Sequence, residues 1–369
     1  MNIVHTEASC GWGGQEMRIL SEAAGLISRG HKLRLLCPRQ SRIYAEAERY
    51  GVPATALPIA RKNLEGLLAL RRWLSDQAPR VDVINSHSST DSWLAALACA
   101  TVSHAPPIVR TRHISAPVPD NLATRWLYTR ATRHIVTAGE KLRQSLIEDN
   151  GYPPENITSV PTGIAADRFF PGDKLEARRR LGLDESRHYI GIVATLRSWK
   201  GHLYLLDAYA RIAQERDGWQ LLIVGDGPMR DVIAPRIAEL GLEQKAILAG
   251  QQEAPEFWLR ALDIFCLPSY ANEGVPQAVI QAMMSALPVV TTPVGSITEA
   301  IEDGVSGLLV APQDAEALRA ALLGLIDDPV RAEALGQAAR SRAVEKFAES
   351  AMLDRMEQIF RTVGRGAGR

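Results

Sequence analysis

The chain has 369 residues, 46% of them apolar and 23% charged, with 42 Lys/Arg balancing 42 Asp/Glu. That length exceeds one ordinary hydrophobic core and suits two α/β domains. The longest apolar stretch, residues 93–102, is too short to span a bilayer, and the balanced charge gives no footing for nucleic acid.

In chain order, short apolar runs alternate with longer amphipathic segments. The runs at 2–5, 33–37, 81–85, 108–112, 134–137 and 157–161 read as strands, with helical patterns between them at 16–29 and 64–77. A second set follows at 189–194, 220–224, 246–249, 264–268, 289–292 and 307–310, with a helical pattern at 202–216 among them. Strand–helix alternation predicts parallel sheets covered on both faces, so two sets predict two doubly wound domains. The Pro- and Gly-containing stretch 161–174 is the expected linker, giving domains 1–168 and 169–346. An amphipathic helix is expected over 347–363, followed by a disordered tail from Gly364 to Arg369.

Four widely spaced cysteines (Cys10, Cys37, Cys99, Cys266) without a CxxC pair, and a start that lacks a basic region before an apolar run, fit a reduced, cytoplasmic protein. Charge is uneven along the chain: residues 1–170 hold 20 Lys/Arg against 15 Asp/Glu, and 110–143 hold seven of those cations. This basic half either faces an anionic lipid surface or phosphorylated acceptor, or is an ordinary solvated surface.

Open α/β sheets bind ligands beyond the carboxyl ends of their strands, so the residues after each strand carry the candidate chemistry. Gly13 and Gly14, in Gly11-Trp12-Gly13-Gly14-Gln15-Glu16, let backbone N–H groups approach a phosphate, or simply make a tight turn. His113 follows the strand 108–112 and can donate to a sugar hydroxyl or stabilise developing charge; His87 is a weaker parallel. Arg197 and Lys200, three residues apart after 189–194, can converge on one anion such as a departing diphosphate. Gly225-Asp226-Gly227-Pro228 is GxG without a third glycine, a poor dinucleotide fingerprint. Glu273-Gly274-Val275-Pro276 places Pro276 in the first turn of a helix, the Gly274 and Val275 N–H groups at its N-terminus, and Glu273 where it can accept from sugar hydroxyls.

Taken in order, these segments resemble the retaining glycosyltransferases of GT-B fold known as glycosyltransferase family 4. Gly13-Gly14-Gln15-Glu16 is similar to the family's GGxE loop, and Arg29-Gly30-His31-Lys32-Leu33 to its RGHxV turn. Pro161-Thr162-Gly163-Ile164 with Asp167-Arg168-Phe169 resembles its NGVDxxxF linker. Arg197 with Lys200-Gly201, and Gly225 to Pro228, resemble its R..KG and GxGP segments. Glu273 through Val290 resembles its E-x7-E helix, and Gly295, Glu299 and Gly307 the pattern that follows. The resemblance implies two Rossmann-like domains with an interdomain cleft, and a final helix that crosses back to the first domain. It implies transfer from a nucleotide-sugar donor to a glycan or lipid-linked acceptor, with retention and with neither metal nor other cofactor. Lys200 and Arg197 would bind the donor diphosphate, Glu273 the sugar hydroxyls, backbone near Gly13, Gly14, Gly274 and Val275 the phosphates, the Gly225 turn would line the donor or be purely structural, and His113 would lie near the transferred sugar. One position departs: the second Glu of E-x7-E is Gln281, which keeps an acceptor for ribose hydroxyls but loses the charge. The implied setting is lipopolysaccharide or other cell-surface polysaccharide synthesis at the inner face of the cytoplasmic membrane. A GT-B epimerase and a non-catalytic nucleotide-sugar-binding or glycan-binding protein are the alternatives. An NAD-dependent dehydrogenase lacks its GxGxxG.

Overall fold

A computed structural model describes residues 1–364 except 78, 79, 115, 116 and 272. The tail beyond Gly364 lies outside the described residues. The chain divides into two compact units: Met1–Gly163 with Glu349–Arg369, and Ile164–Ala348.

The first unit is built on seven strands: β1 (Asn2–Thr6), β2 (Lys32–Cys37), β3 (Ala54–Ala56), β4 (Val83–Ser86), β5 (Ile108–Arg112), β6 (His134–Thr137) and β7 (Ile157–Ser159). All pairs are parallel, in the order β3-β2-β1-β4-β5-β6-β7. Successive strand residues feed opposite faces. Ile3, Leu35, Val83, Val109 and Val136 enter one core, while Val4, Leu36, Ile84, Ile108 and Ile135 enter the other. Strands buried on both faces must be apolar along their length, which is why they stand out as continuous runs.

The helix Gly14–Ser28 covers the first core with Ile19, Leu20, Ala23 and Leu26. The helix Glu349–Val363 joins it there through Met352, Leu353, Met356, Ile359 and Phe360. Each such burial is worth about 1.5–3 kcal/mol, so this segment is structurally part of the first unit. Its start differs from the expected 347. Phe347 ends the preceding helix Pro329–Phe347 inside the other core, and Ala348 is extended (φ −64°, ψ 143°).

The second unit has six parallel strands: β8 (His188–Val193), β9 (Trp219–Val224), β10 (Ala246–Gly250), β11 (Ile264–Leu267), β12 (Val289–Thr291) and β13 (Leu308–Leu309), ordered β10-β9-β8-β11-β12-β13. Its division from the first unit falls earlier than the expected 168. Ile164 bridges to Ala348, and Phe169 packs into the second unit's core. Among the described residues no helix is long and apolar enough to cross a membrane.

Candidate functional site

Each sheet reverses its winding direction once. In the first, the reversal lies between β1 and β4; in the second, between β8 and β11. Crossovers leave on opposite sides at such a point, so the loops beyond these strands flank an open crevice. Gly13, Gly14 and His87 follow β1 and β4, Arg197, Lys200 and Glu273 follow β8 and β11, and His113 and Gly225 follow the adjoining strands β5 and β9.

In the second unit, the loop after β8 ends in a single 3-10 turn, Ser198–Lys200, and that after β11 carries Ser269 to Glu273. The loops are stitched together, because Tyr270 N donates to the Trp199 carbonyl at 2.8 Å. Lys200 Nζ reaches Glu273 Oε1 at 2.6 Å, and the Ser269 hydroxyl donates to the same oxygen at 2.6 Å. The Glu273 side chain is 6% exposed and that of Lys200 18%, so this ion pair is largely withdrawn from water. Arg197 is elsewhere. It precedes the turn in extended backbone (φ −108°, ψ 149°), is exposed, and sets its guanidinium 5.7 Å from the Trp199 ring. The two cations therefore do not share a partner in this conformation.

The helix after this loop is Gln277–Met284, one residue later than the sequence suggests. Pro276 is its extended N-cap (φ −68°, ψ 126°) rather than a first-turn residue, so Gly274 and Val275 lie just outside the helix. No acid occupies the first turn, and Pro276 offers no side-chain cap. Glu273 is thus not a helix-capping acid. Gln281, half-buried, lies one turn beyond Gln277 on the same helix face. Gly225 packs against the Ala194 carbonyl, so the turn after β9 braces the β8 loop.

Gly295 holds Glu273 in place. Its φ is +64°, and a Cβ there would collide with the Glu273 backbone carbonyl. Gly304 has a similar φ of +72° but open space around it. Gly304→Ala is expected to cost about 1–2 kcal/mol from backbone strain alone, and Gly295→Ala clearly more, with loss of activity as Glu273 shifts. Paired denaturation curves that coincide would contradict this.

In the first unit, buried Glu7 organises the glycine loop. Its carboxylate accepts from Ser9 N at 2.6 Å and Gln15 Nε2 at 2.5 Å, and Ser9 Oγ accepts from Gly11 N at 3.0 Å. Gly13 then caps the helix from extended backbone, with Gly14 its first residue and Glu16 in its first turn. Burial, then the nearby Asp91 carboxylate, push Glu7 upward from the usual carboxylate range. Asp91 accepts from Thr6 Oγ1 at 2.7 Å, His87 N at 2.9 Å and Ser88 N at 2.8 Å, closing a capping box with Ser88.

His113 and His87 are brought together, and with them His5. Nε2 of His113 lies 3.0 Å from Nδ1 of His87, and Nε2 of His87 lies 3.1 Å from Nδ1 of His5. Nε2 of His5 is 3.7 Å from Oε1 of buried Glu22. Burial holds all three imidazoles well below their ordinary range, so they are neutral. Sequence reasoning passed over His5, which sits inside a strand, and Glu22, which sits inside a helix. The available signal was an acid on a helix face otherwise made of Ile19, Ala23 and Leu26. In the second unit His202, buried beside Lys200 and lowered to about 4 by burial first, was also passed over.

Comparison with known proteins agrees with this layout. The family described as "Glycosyl transferases group 1" matches residues 173–342, and "Glycosyltransferase Family 4" matches 12–168. The D-inositol 3-phosphate glycosyltransferase of Thermobispora bispora is 30% identical over 308 residues, 76% of this chain and 70% of that protein. The lipopolysaccharide core biosynthesis mannosyltransferase LpsB of Rhizobium meliloti is 31% identical over 199 residues, 52% of this chain and 56% of that one. The crystal structure of Anabaena HepE in complex with UDP superposes with a TM-score of 0.85 at 20% identity, covering 98% of this chain and all of the other. That likeness is one of fold, the GT-B arrangement of two Rossmann-like domains. On its sequence and its two sheets together, the chain belongs to the group 1 glycosyltransferases of glycosyltransferase family 4.

Proposed function

We propose that this glycosyltransferase moves a sugar from a nucleotide-sugar donor to a glycan or lipid-linked acceptor, with retention and without a metal. The Lys200–Glu273 pair, at the winding reversal of the second sheet and just before a helix N-terminus with no acid in its first turn, carries this reading. The second unit is read as the donor side and the first as the acceptor side. UDP in the Anabaena structure supports a nucleotide-sugar donor.

As the bond from the anomeric carbon to the phosphate oxygen breaks, charge grows on the diphosphate. Lys200, Arg197 and the backbone N–H groups of Gly274 and Val275 answer that charge. Glu273 accepts from hydroxyls of the donor sugar, and Gln281 from the ribose through its amide carbonyl. The acceptor oxygen bonds to the anomeric carbon on the face the phosphate leaves. Its proton passes to the departing phosphate oxygen, so no enzymic nucleophile is required. His113 serves a substrate hydroxyl. The basic segment 110–143 and the likeness to LpsB support an acceptor in lipopolysaccharide or other cell-surface polysaccharide synthesis, handled at the cytoplasmic face of a membrane.

A panel of UDP-, GDP- and ADP-sugars is expected to contain one donor that raises apparent stability by about 2.7 kcal/mol at 100 times its Kd. Thermal unfolding across the panel measures this. If no nucleotide sugar shifts the transition, the donor assignment is wrong. Binding without consumption in the presence of acceptor would favour the non-catalytic reading that Gln281 suggests.

A further inference from the structure

The histidine row in the first unit has a direction. A neutral imidazole carries one N–H and one lone pair, so in a chain of imidazoles each must donate to the next in the same sense. Two arrangements satisfy the contacts His5–His87–His113. They differ in which nitrogen of His113 bears the proton, and the far end of the row decides between them.

That end is Glu22. It is fully buried beside Arg18, whose Nε lies 3.6 Å from Glu22 Oε2, with both side chains 0% exposed. Arginine stays charged, and a buried guanidinium requires a counter-charge. None of the Arg18 side-chain nitrogens has a hydrogen-bond partner, and Glu22 is the carboxylate beside it. Burial pushes Glu22 upward from the usual carboxylate range, against Arg18 and the Asn85 amide, donating at 3.3 Å, which favour its ionised form, and the buried Arg18 guanidinium still requires that charge beside it. Thr111 Oγ1, donating to Asn85 Oδ1 at 2.8 Å, fixes the amide in that orientation. An ionised Glu22 faces Nε2 of His5 at 3.7 Å. The gap is too long for a good hydrogen bond, but a carboxylate there favours an N–H over a lone pair.

We propose that Glu22, acting through His5 and His87, sets the proton of His113 on Nε2 and leaves Nδ1 as a lone pair, so that His113 accepts a hydrogen bond from a substrate hydroxyl. His5 then donates towards Glu22, His87 donates to His5, and His113 donates to His87. Nδ1 of His113 has no protein partner among the described residues and is the atom left for substrate. Glu22, His5 and His87 are positioning residues. The substrate contact rests on the transferase reading above; the tautomer does not. An acceptor at this place recognises a free hydroxyl and rejects the same ligand deoxygenated or O-methylated there. This reverses the donor role that the sequence alone suggests for His113.

Long-range proton–nitrogen correlation on the full chain labelled with 15N-histidine, without substrate, tests the proposal. The His113 signals are identified by their loss in His113→Gln. Wild-type protein is expected to show His113 protonated on Nε2 and bare on Nδ1. Glu22→Gln is expected to invert or mix that tautomer, and Glu22→Asp, which keeps the carboxylate, to preserve it. A proton on Nδ1 in the wild type overturns the proposal whether or not any variant folds. An unchanged tautomer in folded Glu22→Gln removes Glu22 from it. Failure of the nucleotide-sugar panel would strike the transferase reading and leave this result standing.

Discussion

Replacing Lys200 by alanine is expected to lower turnover about 100- to 1,000-fold, the loss seen when one preorganised group facing a developing charge is removed. The same change leaves Glu273, 6% exposed, without its cation. Breaking a largely buried pair from one side costs about 3 kcal/mol, so the Ile164–Ala348 unit should also lose stability. The two effects separate in the double variant Lys200→Ala with Glu273→Gln. It removes the stranded charge and should recover most of the stability, but none of the turnover. Steady-state kinetics and urea denaturation of the three proteins decide the point. Near-normal turnover in Lys200→Ala would refute a role for Lys200 at the leaving diphosphate.

Acid should weaken the first unit. His5, lowered by burial first and by Arg18 second to about 3, is neutral when folded and titrates near 6.5 when unfolded. His87 is lowered in the same direction, by burial and then by His5, His113 and Arg18. For such groups the unfolded chain binds more protons below pH 6.5, so the stability they supply above that pH is lost as the pH falls. Each accounts for at most about 1.4 kcal/mol per pH unit. His113 is lowered in the same direction, by burial first and then by Arg18 and His5. Glu7 and Asp91 act oppositely: burial first raises both, so their contribution grows as the pH falls. With three buried imidazoles against these acids, the expected balance is a loss of stability between pH 6.5 and pH 5. Hydrogen exchange at the two pH values should place the loss in β1, β4 and the helix Gly14–Ser28. A denaturation midpoint unchanged over that window would show that the histidines are already charged or solvated when folded.

The architecture is readable from the sequence because buried parallel strands are apolar throughout. β11, Ile-Phe-Cys-Leu, is wholly enclosed and announces itself. β3 does not: Ala54–Ala56 is three half-buried residues at the sheet edge, too short and too bland to register a pattern. The site is legible in its parts and hidden in its pairings. Lys200 and Glu273 are recognisable as residues following strands, but the 73-residue separation between them is closed only by the β8–β11 adjacency. Arg197 and Lys200 look like partners at a spacing of three, which holds inside a helix. The turn begins after Arg197, so the spacing misleads. His87 and His113 are identifiable one by one. Their link to Glu22 depends on three neighbouring strands and a covering helix, a long-range fact that local periodicity does not contain.

The return of Glu349–Val363 to the first unit has a consequence for assembly on the ribosome. Residues 1–163 emerge first, yet the face of β1 and β2 that Met356 and Phe360 will cover stays open while the intervening 185 residues are made. Ile164–Ala348 is contiguous and is free to fold on its own schedule. The portion translated earliest is therefore the one completed latest, and until then it depends on whatever shields bare hydrophobic surface from its neighbours.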